Sequence, residues 1–409
     1  MNQTTDQNAT ENAETQATES ATATQLVVTA QLRRQLTDLM HVSDHTVPDP
    51  PDKIITFRGQ IRGDTEAAFE RITERFAEQG YTAMLRDQPD GKHEVIAIKG
   101  ESNRKPGNVW SNLALFLLTL FSVIYISALN SLDPGMVQGL TDLEIARLPF
   151  TNLHILWKGL PAAGTLMSIL LAHELSHYFV ARRYGSPVSL PYFIPMPFSF
   201  MGTMGAVIVQ RAPMRNRKAL FDIGVAGPLG GLIVAIPLLI LGLTLSSVHA
   251  PPANVDVVLQ EGNSLLYAGL KYLIFGKFLP SNGEDVWLHS VAFAAWAGLL
   301  VTMLNLIPVG QLDGGHISYA LLGERRAQVL GAAAIAAMIA WGSWSWMNGN
   351  QAGSYWLMWG ILNMILNPRH PPPLNDATRL DWRRIALGLG MLVIFILLFM
   401  PAPLQEIQL

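Results

Sequence analysis

The 409-residue chain contains no cysteine. No disulfide framework, thiol nucleophile or thiolate metal site can be built from it, so any bound metal must be held by histidine and carboxylates. Charge is also scarce: 14% of the residues are charged against 50% hydrophobic, which is not the balance of a soluble domain. A formal net charge of −3 shows no global basic excess, so nucleic acid is not the expected partner. The first fifty residues lack an apolar stretch behind a basic start, which argues against a cleaved secretory signal and for a cytoplasmic N-terminus.

Long apolar runs are what the chain has instead. Crossing a hydrocarbon core takes about 20 apolar residues, and seven runs approach or meet that length: 110–129, 155–180, 220–245, 287–307, 329–346, 355–366 and 385–400. The expected fold class is therefore an all-α polytopic membrane protein of about 6–7 transmembrane helices. Short basic loops alternate with loops poor in Lys and Arg. They include Arg104/Lys105, Arg182/Arg183, Arg211 to Lys218, Arg325/Arg326 and Arg369 to Arg384, and all are expected on the cytoplasmic side. Between them, 184–218 carries Pro187, Pro191, Pro195 and Pro197 and then a strand-like run from Gly202 to Gln210. Open strands cannot face lipid, so a β-hairpin region covered by protein or lining a water-filled cavity is expected there. In the outer loop 248–285, the apolar stretch 265–278 fits an interfacial helix.

Ahead of the membrane region (105–409), residues 1–51 are rich in Thr, Ala, Gln and Asn, and read as a disordered tail. Residues 52–100 read as a small α+β cytoplasmic domain. Strand-like runs fall at 54–61, 82–86 and 93–98, and Asp64 caps a helix that places Phe69, Ile72 and Phe76 on one face. That domain shows no catalytic grouping.

The chemistry lies in His173-Glu174-Leu175-Ser176-His177, an HExxH motif on an apolar helical segment. The i, i+4 spacing puts both imidazoles on one face, where they can share a zinc ion, with Glu174 beside them as general base. Chance would supply such a match on the order of 0.01 times in a chain of this length. Burying a carboxylate in a bilayer costs roughly 2.5–3.5 kcal/mol, which marks an intramembrane Glu as functional rather than incidental. A catalytic zinc needs a third protein ligand. Glu261, Glu284 and Asp285 fall in the outer loop, whereas Asp313 stands at the inner end of the fourth run. There Pro308 and the glycines after Asp313 break the helix and let the carboxylate turn inward.

These two elements, HELSH at 173–177 and NxxPxxxxDG from Asn305 through Pro308 to Asp313-Gly314, resemble those of the site-2 protease family of intramembrane zinc metalloproteases. The resemblance covers about 155–316, the expected catalytic core. Pro191 to Pro197, Phe221 to Gly224 and Ala226 to Gly230 are similar to the branch found in cyanobacteria and chloroplasts. The resemblance implies zinc held by His173, His177 and Asp313, Asn305 contacting substrate or steadying the oxyanion, and membrane-protein substrates cut within or near a transmembrane helix. It implies residence in a bacterial cytoplasmic or thylakoid-type membrane, with the active site toward the cytoplasmic side. No PDZ-like insertion is evident, and the N-terminal domain is a candidate for the filtering role such a module plays.

A different class of function, a transporter or channel with an intramembrane metal or proton site, would also place His, Glu and Asp in the membrane. It predicts paired inverted repeats, and none is visible. His316 is expected to be a loop histidine, His370 part of a stiff proline-rich link, Asp222 a helix N-terminal charge, and His154 and His289 interfacial residues.

Overall fold

The computed structural model describes residues 26–46, 54–100, 107–250, 257–350, 352–366 and 369–408. They form two compact units, each assembled from separate stretches of chain.

The first unit joins the N-terminal region to 212–218 and 372–379. It begins with helix α1 over 26–36 and runs through β1 (Met40–Thr46), β2 (Ile54–Ile61), α2 (Thr65–Glu78), β3 (Tyr81–Asp87) and β4 (His93–Lys99). The strands make one antiparallel sheet in the order β1-β2-β4-β3. Asp64 caps α2 by accepting from Ala67 N at 3.2 Å, and Phe69, Ile72 and Phe76 of that helix cover the sheet beside Phe57, Leu85 and Val95. Residues 26–46, expected within a disordered tail, are ordered. Leu32, Leu36, Leu39 and Met40 supply the apolar area that the polar residues around them disguised, and all four are in the core. Residues 1–25 of that expected tail lie outside the described residues.

The sheet does not stop at β3. Leu85 N donates to Leu374 O at 2.7 Å and Asp376 N to Leu85 O at 3.0 Å, so 374–376 adds as a parallel strand. Leu374 N and Asn375 N in turn donate to Met214 O and Arg215 O at 2.7 and 2.9 Å. Lys218–Glu66 (2.6 Å) and Arg215–Glu70 ion pairs fasten 212–218 to α2. Two loops far apart in sequence thus close an edge that would otherwise be an open template.

The second unit is mainly helical. Its elements are α3 (Val109–Asn130), α4 (Pro134–Val137), α5 (Asp142–Thr151), α6 (His154–Arg183), β5 (Tyr192–Pro195), β6 (Thr203–Val207), α7 (Arg217–Thr244), β7 (Ser247–His249), β8 (Val257–Glu261) and α8 (Leu265–Phe275). They continue with β9 (Asp285–Trp287), α9 (Ser290–Asn305), α10 (Asp313–Leu322), α11 (Glu324–Met347), α12 (Ala352–Leu366), α13 (Trp382–Leu398) and β10 (Leu404–Gln408). All seven apolar runs fold as helices, and four of them, α3, α6, α7 and α11, are long and apolar enough to cross a membrane. The other three are shorter, at 16 residues for α9, 15 for α12 and 17 for α13. The fourth run loses its start because 285–287 pairs with β7 instead of continuing the helix.

Helix α6 is the spine. Gly159 lies against the α3 backbone at Ile124 and Ala128, where any side chain would collide, and Ile169 fills the space above Gly298 of α9. The β5–β6 hairpin lies along α3. Asn112 Nδ2 donates to Leu190 O and Pro191 O at 2.9 and 3.0 Å, Ser122 Oγ to Gly202 O at 2.7 Å, and Asn130 Nδ2 to Phe200 O at 3.1 Å. These side chains satisfy carbonyls that lipid could not. Asp222 is more than a helix-terminal charge: Arg384 of α13 binds it through Nε and Nη2 at 2.8 and 2.6 Å, and Tyr184 donates to it.

Candidate metal centre

His173 and His177 are one turn apart on α6, both on the buried side. Asp313 reaches them from the first residue of α10. It can do so because α9 ends at Asn305, Pro308 lacks the N–H a continuing helix needs, and Gly310 takes a φ of 48°. Gly314 and Gly315 then pack on the carbonyls of Leu306 and Gly310, so tightly that a Cβ at either would overlap backbone.

The three side chains converge. His173 Nε2 lies 3.1 Å from His177 Nε2 and 3.2 Å from Asp313 Oδ2, and His177 Nε2 lies 3.2 Å from Asp313 Oδ1. His177 Nδ1 donates its proton to Ile223 O at 2.7 Å, which leaves Nε2 as a bare lone pair. Asp313 Oδ2 is buried without any hydrogen-bond donor. Acceptors pressed together in this way repel unless a cation sits among them. Zinc with bonds of about 2.0–2.1 Å in tetrahedral array sets its donors roughly 3.3 Å apart, which this triangle matches. His173, His177 and Asp313 are the group that could hold a metal among the described residues.

Two other predicted residues border the triangle. Glu174 is 7% exposed, yet among the described residues its carboxylate has no hydrogen bond or ion pair. A buried carboxylate left free in this way is available for proton transfer. Asn305 Nδ2 lies 3.5 Å from His173 Nε2, so the end of α9 brings an amide to the edge of the metal position. Glu261 and Asp285 are elsewhere, in β8 and β9 beside Lys271. Glu284 pairs with Lys277, and His289 caps α9 by accepting from Val291 N at 3.3 Å.

His316 is not a loop residue. It lies on α10, and its Nδ1 is 2.6 Å from His370 Nε2, whose ring also packs on Tyr319 at 4.6 Å. Burial pushes His316 down to about 4, with the Asp313 carboxylate opposing the shift. Burial likewise takes His370 down to about 3, and His316 reinforces the shift. His370 therefore does more than stiffen a link, since it holds α10 from its far side.

Sequence reasoning missed what seats the ligands. A Cβ on Gly227 would overlap the His177 ring, one on Gly230 would overlap Ser176 Oγ, and one on Gly231 would touch His173 at 3.4 Å. Gly224 meets His316 Cβ at 2.8 Å and Asp313 O at 3.3 Å. The spacing of these glycines at three and four residues is the signal of one bare face on α7 laid against His173, His177 and Asp313.

The motif, the turn and the glycine face fall inside a single family match. Residues 161–346 match the model of peptidase family M50. The matched stretch spans α6 from Pro161, the hairpin, α7, α9, α10 and nearly all of α11. Beyond it, the chain is 26% identical over 370 residues to the probable zinc metalloprotease EGY2, chloroplastic, of Arabidopsis thaliana, covering 88% of this chain and 62% of that one. It is 30% identical over 376 residues to the probable zinc metalloprotease EGY1, chloroplastic, of Oryza sativa subsp. japonica, covering 84% and 62%. The chain thus spans under two thirds of the length of these relatives. No solved structure matches it.

Proposed function

We propose that this chain is a membrane-embedded zinc metalloprotease that hydrolyses peptide bonds within or near the transmembrane helices of membrane-protein substrates, as in regulated intramembrane proteolysis. The observation that carries the reading is the triangle of Nε2, Nε2 and carboxylate oxygens at 3.1–3.2 Å, with Asp313 Oδ2 buried and unpaired and a free carboxylate beside it. The match to the peptidase family M50 model and the zinc metalloprotease names of the relatives support it.

His173, His177 and Asp313 would hold the zinc. Bound there, zinc supplies a water acidic enough to ionise near neutral pH and a Lewis acid for the peptide carbonyl. Glu174 takes the proton from the attacking water and returns it to the leaving amine. Ile223 O keeps His177 in the tautomer that presents Nε2, and Asn305 Nδ2 donates to the carbonyl oxygen as it gains charge. The β-hairpin serves substrate binding. β5 lies against α3, while β6 has no strand on its other edge among the described residues, and Met204 and Val207 are exposed along it. An unwound substrate segment adds to that edge, which offers its peptide bonds to the site in extended form.

In this reading the chain is an integral, multi-pass protein of about six or seven spans, with α9, α12 and α13 crossing beside the four longer helices. Its basic loops and active site face the cytoplasm, or the equivalent side of a thylakoid-type membrane. The domains are the sheet domain and the protease region. A transporter would require successive weak sites rather than one tight ligand set with a free Glu, which favours hydrolysis.

The test is cleavage of a panel of single-span membrane proteins by the purified chain in lipid, compared with Glu174→Gln and with zinc removed and restored. Cleavage lost in both controls and regained with zinc supports the reading. A protein that binds no zinc overturns it.

A further inference from the structure

Within the second unit lies a cavity of about 740 Å³ that the chemistry above does not use. Its floor includes Ala162 and Leu166 of α6 and Ala297 of α9, its lip is Phe200 in the hairpin turn, and its head is formed by Glu261 of β8 and Asp285 of β9. Leu166 precedes His173 by two helical turns on the same face, a separation of roughly 10 Å. Ala297 stands about the same distance before Asn305, by the same geometry. The cavity is therefore in line with the metal centre along both helices, and the turn of the substrate-binding hairpin opens onto it.

The head of the cavity is polar and incompletely satisfied. Glu261 is 8% exposed, and its Oε1 accepts from Tyr267 at 2.9 Å. Asp285 accepts from Gln260 at 2.6 Å. One cation, Lys271, serves both carboxylates. It is 1% exposed, lies 3.6 Å from Glu261 and 3.8 Å from Asp285 over the Tyr267 ring, and makes no hydrogen bond of its own. Two carboxylates face one ammonium in a half-enclosed, apolar-walled space, an acidic lining that is the complement of a basic side chain.

We propose that this cavity is a specificity subsite, holding the part of the substrate that lies toward the β7–β9 side of the scissile bond and selecting a basic residue there. The proposal rests on the protease reading above. The 10 Å span sets the position of that residue at about seven residues from the cut bond if the segment stays helical, or about three if it is extended. Ala162, Leu166, Ala297 and Phe200 take the apolar neighbours of the basic residue, and Glu261 and Asp285 take its charge.

The experiment uses the full chain carrying Glu174→Gln in lipid nanodiscs, so that bound peptide stays whole. Its probes are fluorescent single-span peptides of about 25 residues in which Lys, Leu or Glu is stepped along the sequence. At one position, Lys should bind about tenfold more tightly than Leu and more tightly still than Glu, in keeping with a partly buried charge pair. The preference should vanish in Asp285→Asn or Glu261→Gln while the Leu peptide binds as before. A photoreactive group at that position should label the stretch around Phe200 or Leu166. Affinity that ignores Lys and Glu at every position, a preference that survives both variants, or a series that does not bind at all would each overturn the subsite. The two readings separate when the zinc-loaded parent chain is given the same peptides. Cutting without any preference sinks the subsite and leaves the protease, whereas preferred binding with no cutting leaves the subsite and sinks the protease.

Discussion

Gly227 of α7 lies so close to His177 of α6 that a single added methyl group would occupy the space of the imidazole ring. The imidazole is seated by an absence of side chain, and Ile223, one turn earlier on α7, supplies the carbonyl that orients it. One helix thus provides both the room and the tautomer for a ligand carried by another.

Gly227→Ala should displace His177 and weaken zinc binding by about 10- to 100-fold, the range seen when groups that orient a ligand are lost. Gly164→Ala on α6, where a new Cβ meets nothing within 4 Å, should leave zinc in place. Zinc content after dialysis against a competing chelator, with helicity followed by circular dichroism, checks both. Full zinc in Gly227→Ala would refute the packing argument.

Asn305→Asp preserves shape but removes the N–H. Zinc content should stay at the parent level while kcat falls about 10²- to 10³-fold, as for loss of one oxyanion donor. Cleavage within a few-fold of the parent would assign Asn305 a purely structural part.

His316 and His370 give the second unit an acid-sensitive element. Both are held below the ordinary histidine value of 6.5, at about 4 and about 3, chiefly by burial. Below pH 6.5 the unfolded chain takes up protons that the folded pair refuses. Their contribution is therefore complete above pH 6.5 and declines as pH falls toward 4. Thermal denaturation from pH 7 to 4 should show the loss, and His370→Gln should flatten it over that window.

The amides of Leu374, Asn375 and Asp376 are hydrogen-bonded to Met214, Arg215 and Leu85, although the sequence around them is Pro-rich. They should exchange with solvent deuterium as slowly as neighbouring strands, measured by mass spectrometry. Replacing 212–216 with a Gly/Ser stretch should release them. Fast exchange in the parent would mean the added strands do not form.

Much of this was legible in one dimension. HExxH encodes its own geometry because an i, i+4 pair must share a face, and Asp313 was recoverable because Pro308 and the following glycines announce a broken helix. The apolar runs marked every long helix. What stayed hidden depends on partners distant in sequence. Residues 26–46 are too polar on average to advertise Leu32, Leu36, Leu39 and Met40, and their burial exists only once β1 pairs with β2. The span of α9 was overestimated because strand pairing at 285–287 outcompetes helix continuation.

The sequence by itself determined the ligand types, the absence of thiol chemistry and the helical membrane character, since these follow from residue identity and local period. Tertiary structure alone decided which tautomer His177 adopts, that His316 faces His370, and that Glu261 and Asp285 share one lysine at the head of a cavity. Those are matters of through-space distance between separate elements, where close packing rather than sequence order sets the neighbours.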